Sequence, residues 1–336
     1  MVSDHSASDD RLPRRASDDR LPRRAGDDRG QLILVGAVVL AIAIVGLVVI
    51  LNTVLYTQNV TNRAALDATD DAAEIERAVD GEVPPLVERT NRNATYGNES
   101  AAADAVNRTL ARYGALVGTA VTNRRPASVG VAVAGNPSVA LVVADANSSR
   151  NFTDRAGDPE WTVADGASVQ RYRLRVDADS LPSTDADAFR VTVAAGGDDW
   201  TMRVHRNGSS VDVDRVGTGG AESTCTASPD DGTVELDVDD GSVDVEGDSA
   251  GVDCTFAFAA GVDPPYELGY ANATNATGTY RLVLDGTGAT AGDVATAAPW
   301  ESPYRSYAVD ALAVTVTYAT PELRYRTTTN HTIHDP

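Results

Sequence analysis

The chain has 336 residues and a net charge of −21, from 49 acidic residues against 28 basic ones. Every one of those 28 cations is arginine, and lysine is absent. A surface this acidic repels polyanions, which excludes nucleic acid as a partner and disfavours the face of an anionic membrane. Aromatic residues make up only 5% of the chain, so small and β-branched side chains dominate, a composition that suits a sheet-rich fold.

Residues 1–30 hold seven Arg and seven Asp, so the acidic excess lies wholly in residues 31–336. The string SDDRLPRRA runs over residues 8–16 and again over 17–25. Alternating acid, base and proline builds no core, and residues 1–30 are expected to be a disordered cytoplasmic arm or leader. Residues 32–51 then carry no charged or polar side chain. At about 1.5 Å per residue they span roughly 30 Å, one hydrocarbon core. Arg11, Arg14, Arg15, Arg20, Arg23, Arg24 and Arg29 precede this run, and only Arg63 follows it closely. That asymmetry keeps the N-terminus inside and displays the remainder outside, as a single-pass protein of the cell membrane. Asn52, Tyr56, Thr57 and Gln58 lie just past the run, where Tyr56 suits the outer interface.

The helical pattern does not stop at the membrane. Apolar Val54, Leu55, Ala65, Leu66, Ala72, Ile75 and Val79 keep helical spacing, and Gly81 with Pro84-Pro85 marks the expected end. Residues 31–80 are thus read as one transmembrane and extended helix. Residues 81–127 form a helical extracellular segment, with a second helix at about 99–118 whose stripe is Ala103, Val106, Leu110, Tyr113 and Val117. From Ser128 the period changes to two. SVGVAVA, a GNPS turn and VALVVA read as a hairpin, and further alternating runs follow to about residue 320. Residues 128–336 are therefore a β-rich ectodomain, with an Asp/Gly-rich surface excursion at 217–253. The fold class is α+β: a long N-terminal transmembrane helix, an antiparallel sandwich-like domain and one further helix.

Two features agree with an external location. Ten of the fifteen asparagines lie in N-x-S/T sequons, all after the apolar run: Asn59, Asn93, Asn98, Asn107, Asn147, Asn151, Asn207, Asn272, Asn275 and Asn330. They are candidate N-glycosylation sites. The two cysteines, Cys225 and Cys254, read as one disulfide, the alternative being two free buried thiols.

Signatures of catalysis are absent or weak, and the expectation is a protein that is not an enzyme, with no cofactor and no metal. HExxH, GxSxG and P-loop strings do not occur. Residues 286–291 match a loose dinucleotide fingerprint followed by a poor helix. Asp237, Asp239, Asp240 and Asp244 offer calcium-type oxygens at the wrong spacing for an EF-hand and read as solvated strand-face carboxylates. His331 and His334 read as part of a solvated tail.

The string RGQLILVGA at residues 29–37 resembles the class III signal of archaeal type IV pilin-like proteins. That resemblance implies cleavage between Gly30 and Gln31 by a membrane-embedded prepilin peptidase, and assembly with pilin-like subunits. The position five residues into such a mature chain, often Glu in pilins, is Val35 here. The longer string through Gln31, Asn52, Tyr56, Thr57, Gln58 and Asn59 looks like the opening of an uncharacterised family of haloarchaeal membrane proteins, and the acidic, lysine-free composition resembles the secretomes of halophilic archaea. The expectation is a non-enzymatic cell-surface structural or interaction protein of pilin-like plan, whose partners are the lipid bilayer, pilin-like subunits or a prepilin peptidase. The alternative is an uncleaved, membrane-anchored binding or adhesion module.

Overall fold

The computed structural model describes residues 27–220, 222–229, 232–239, 241–246, 254–285 and 288–333. The 1–26 part of the predicted arm therefore lies outside the described residues. Two α-helices, α1 (Asp27–Asn93) and α2 (Glu99–Thr122), precede sixteen strands. These are β1 (Ser128–Asp145), β2 (Trp161–Ala167), β3 (Val169–Asp177), β4 (Phe189–Ala195), β5 (Asp198–Asn207), β6 (Ser210–Val216), β7 (Glu222–Ala227) and β8 (Thr233–Asp239). Then follow β9 (Ser242–Glu246), β10 (Cys254–Ala257), β11 (Tyr266–Ala271), β12 (Gly278–Leu284), β13 (Thr290–Ala291), β14 (Ala295–Thr296), β15 (Tyr304–Ala319) and β16 (Arg324–Thr332). Within α1, side chains are described from Leu34 to Val54 and from Leu66 onward.

The chain divides into two units, residues 1–64 and 65–336. The described part of the first is the apolar stretch of α1. The second is an α+β domain with two sheets. One has nine strands in the order β10-β9-β8-β3-β12-β1-β15-β14, with β16 also on β15; the other has seven, β13-β2-β11-β4-β5-β6-β7. All pairings are antiparallel except the short β14–β15 contact. Alternate residues of both sheets meet in one core: Leu141, Tyr172, Leu174 and Leu282 from the first, Phe189, Trp200, Met202 and Leu268 from the second. Two inner faces burying one alternate set each are a β-sandwich.

The 65–93 part of α1 and all of α2 cover the other face of the long β1–β15 pair. Val79, Val83 and Val87, spaced by four, pack with Val106, Leu110, Val131, Val314 and Val316. Each such side chain contributes about 1.5–3 kcal/mol at most on leaving water. This burial explains why α1 does not end at Gly81 as expected. Pro84 and Pro85 each remove one backbone donor but lie inside the helix, which runs on to Asn93. Val83 and Val87 stand on either side of the proline pair and hold that turn against the sheet. At the far end, Asn91 donates to the carbonyl of Val309 at 2.9 Å and accepts from its N–H at 3.1 Å. This amide replaces a strand partner on a stretch of β15 left open between β14 and β16. Tyr96, bridged to Tyr307, fills the neighbouring position.

Helix α2 is N-capped by Asn98, whose Oδ1 accepts the Ala101 N–H at 2.9 Å. Its buried residues are Ala102, Ala105, Val106, Leu110 and Gly114. The buried face is thus turned by about one position from the predicted stripe, toward its small residues. A Cβ on Gly114 would sit 2.7 Å from the Val131 carbonyl oxygen, so glycine there lets α2 approach β1 closely.

Two expectations are corrected. GNPS is not a hairpin turn: β1 is one strand that pairs with β15 on both sides of it, with register shifts between Ala134 and Ser138. Gly135, at φ +78°, makes the break a bulge, because β15 supplies both arms with a partner longer than either. The described residues of the 217–253 region are not a surface excursion either. Its β7 extends the seven-stranded sheet, and β8 and β9 extend the nine-stranded one.

Candidate functional sites

Leu34–Val54 of α1 is 21 residues long with a mean hydropathy of 3.2, and none of it is buried in the protein. Leu34, Leu40 and Ile42 are more than 60% exposed. By length and composition this helix is long and apolar enough to cross a membrane. At its end the Thr53 hydroxyl donates to the Val49 carbonyl at 2.8 Å, so this polar group is satisfied within the helix. Gly30 and Gln31 fall in the first turns of α1, which begins at Asp27 rather than at residue 31. A first helical turn holds backbone N–H groups with no intrahelical partner and is the part that frays most readily.

The sequons separate into two sets. Asn93, Asn98, Asn107, Asn147 and Asn330 are exposed. Asn98 and Asn147 use their Oδ1 as an acceptor for nearby N–H groups, which leaves the amide nitrogen outward. The second set spends the nitrogen instead. Asn151 donates Nδ2 to the Thr274 carbonyl at 2.6 Å, Asn272 to that of Ala188 at 2.9 Å, and Asn275 to that of Asp187 at 2.8 Å. Asn207 donates to Asp212 at 2.7 Å. Asn272 also takes the left-handed conformation, φ +53°, which asparagine tolerates. The side chain of Asn59 lies outside the described residues.

Cys225 and Cys254 are joined, with their Cα atoms 5.7 Å apart. Cys225 is on β7, the edge of the seven-stranded sheet, and Cys254 on β10, the edge of the nine-stranded one. The disulfide therefore ties the two sheets together at one open side of the sandwich.

Other polar groups are placed by packing. His331 is buried on β16, with Nε2 3.6 Å from Asp80 of α1, so the reading of a solvated tail is corrected for it; His334 lies outside the described residues. Asp185, His205 and Asp214 bring one ligand atom each within 4.8 Å of one another, which the sequence reading missed. Arg203 already lies among them, 3.1 Å from Asp185 and 3.3 Å from Glu222, and supplies the cation that the carboxylates require. Of the acidic cluster, Asp237 pairs with Arg173 and Asp244 accepts from Thr255. Tyr172, Tyr270 and Tyr280 lie at the heart of the sandwich, the first two hydroxyls 2.9 Å apart. Burial raises all three phenols above their ordinary pKa.

The outer face of β3 carries Arg171, Arg173 and Arg175 at alternate positions. Register places Arg281 of β12 opposite Arg173, and Thr279 opposite Arg175. On the other flank β8 provides acids: Arg173 lies 3.0 Å from Asp237 and 3.4 Å from Glu235, and the Nε of Arg175 is 3.3 Å from Glu235. Two cavities open here. One of about 330 Å³ is lined by Asp145, Arg173, Arg281 and Tyr304, the other of about 630 Å³ by Ser148, Ser149, Thr233 and Thr277; both include Arg175 and Thr279. The R-x-R-x-R pattern of 171–175 inside an alternating run was the signal available in the sequence.

Residues 26–173 match a family of unknown function (DUF7261). The matched part contains α1, α2, β1 and β2 and stops within β3. No curated protein matches the chain.

Proposed function

We propose that this is a non-enzymatic cell-surface protein of archaeal type IV pilin-like plan, held in the membrane by α1 and presenting its sandwich to the medium. The observation that carries this reading is that one helix contains both a bare apolar stretch of membrane-spanning length and, from residue 65 onward, the segment that packs on the sheet. A helix that serves as lipid-facing anchor at one end and structural layer at the other is what a pilin-like subunit requires. The arginine-rich residues before it set the N-terminus inside. The disulfide supports an oxidising location for the sandwich. The Arg-Gly-Gln string ahead of the apolar run adds cleavage after Gly30 by a prepilin peptidase. The uncleaved anchor is favoured by Val35 at the position where pilins often carry Glu.

Protease shaving of intact cells tests the placement. Peptides from residues 94–333 are expected in the released fraction and peptides from 34–54 in the membrane pellet. Full protection of the 94–333 peptides in intact cells, with digestion after lysis, would refute an external sandwich.

A further inference from the structure

The arginine-lined groove is not accounted for by anchoring. Arg173 and Arg281 stand directly opposite one another, a like-charge pairing that costs a strand pair unless acids compensate it, as Asp237 and Glu235 do for Arg173. Two of the three acids bordering the groove are in ion pairs, and the third accepts a backbone N–H. Asp145 is buried against Arg150 at 3.0 Å, Asp179 pairs with Arg206 at 3.2 Å, and Asp177 accepts the N–H of Asp179. Arg175 differs. Glu235 holds it by Nε alone, and among the described residues its two terminal amino groups have no hydrogen bond or ion pair. Held on one edge, with its side chain half exposed, this guanidinium offers a two-pronged donor on the wall that both cavities share.

A guanidinium fork matches the paired oxygens of a carboxylate or a sulfate. Beyond it the larger cavity is lined by the hydroxyl residues Ser148, Ser149 and Thr277, with Asp177 and Asp179 on the same wall. Short hydroxyl side chains pair with the hydroxyls of a sugar ring and give an apolar peptide side chain nothing to bury against. We propose that the groove binds an acidic saccharide, one bearing uronate or sulfate groups, with an acid group seated on Arg175 and the following ring along the hydroxyl-lined arm.

The test is calorimetric titration of the full chain in detergent micelles with three probes of similar length: a galacturonate tetrasaccharide, a sulfated tetrasaccharide and neutral maltotetraose. A tetraglutamate peptide is the charge control. The expected result is binding of one acidic saccharide, with the neutral sugar and the peptide at least tenfold weaker. Arg175→Gln should weaken the acidic saccharide at least tenfold at unchanged melting temperature, whereas Arg112→Gln, on the exposed face of α2, should leave it unchanged. Binding of neither acidic saccharide, equal binding of the neutral sugar or of tetraglutamate, or undiminished affinity in Arg175→Gln would each overturn the proposal. The comparison of galacturonate with the sulfated sugar identifies which acid is recognised.

Discussion

Asn91 shows how much one side chain settles. Its amide supplies both a donor and an acceptor to Val309, on the edge of β15 away from β1, where neither β14 nor β16 reaches. Replacing it by leucine keeps the volume and leaves a buried N–H and a buried carbonyl unpaired, at about 1–3 kcal/mol each. Asn91→Leu is expected to lower stability by about 2–4 kcal/mol in denaturant titration; a change within 0.5 kcal/mol, about the scatter of ordinary surface substitutions, would show that water replaces the amide without loss. The sequons make a second prediction at this scale. A glycan on Nδ2 removes one of its two hydrogens and adds bulk beside the carbonyls that Asn151, Asn272 and Asn275 hold, which disfavours its attachment at these three. Glycopeptide mapping should find occupancy among Asn93, Asn98, Asn107, Asn147 and Asn330, and none at those three. Full occupancy at Asn272 would mean that its turn is remade. No sequon states this difference, because the motif specifies a side chain and not the carbonyl it faces.

Among the elements, those with an alternating pattern were legible: polar and apolar residues alternate over seven positions in β3 and β5 and over five in β4 and β6. Strand β11, YELGYA, was not, because Gly269 interrupts the pattern where a Cβ would crowd Thr192. Strand β16 was missed because it is an edge strand with little apolar content, paired through its backbone to nine residues of β15. The end of α1 was misplaced because two prolines were weighed against local propensity alone, whereas the valines around them are buried. The arginine groove was visible as a spacing, but its function depends on β12 and β8 lying beside β3, a long-range fact. Two predictions belong here. The disulfide closes a sequence separation of 29 and joins the edges of both sheets, so reduction, or Cys225→Ala with Cys254→Ala, should cost about 3–4 kcal/mol by loop entropy. Retained stability after reduction would mean that the sheets hold that edge without it. The tyrosine core gives the pH response. Burial raises the phenols of Tyr172, Tyr270 and Tyr280 in the folded state, so they keep protons that the unfolded chain releases near pH 10. Stability from this source is complete below about pH 10 and falls above it, by about 1.4 kcal/mol per pH unit for each such group. Absorbance near 295 nm should show these phenols ionising together with unfolding; their titration at pH 10 in a protein still folded by circular dichroism would contradict the packing.

At the scale of the whole molecule the charge, the helix and the sandwich have separate tasks. A net charge of −21 repels polyanions at long range; in about 1 M salt such a field decays within some 3 Å, so a groove lined with arginine acts locally. The helix resolves the opposite problem, an apolar surface that water does not tolerate. In the proposed reading, its first residues decide whether it is a permanent anchor or a subunit released for assembly. The most direct test is mass spectrometry of the N-terminus of the protein purified from membranes. The pilin-like reading predicts a mature chain that begins at Gln31; an intact chain still carrying residues 1–30 would contradict it.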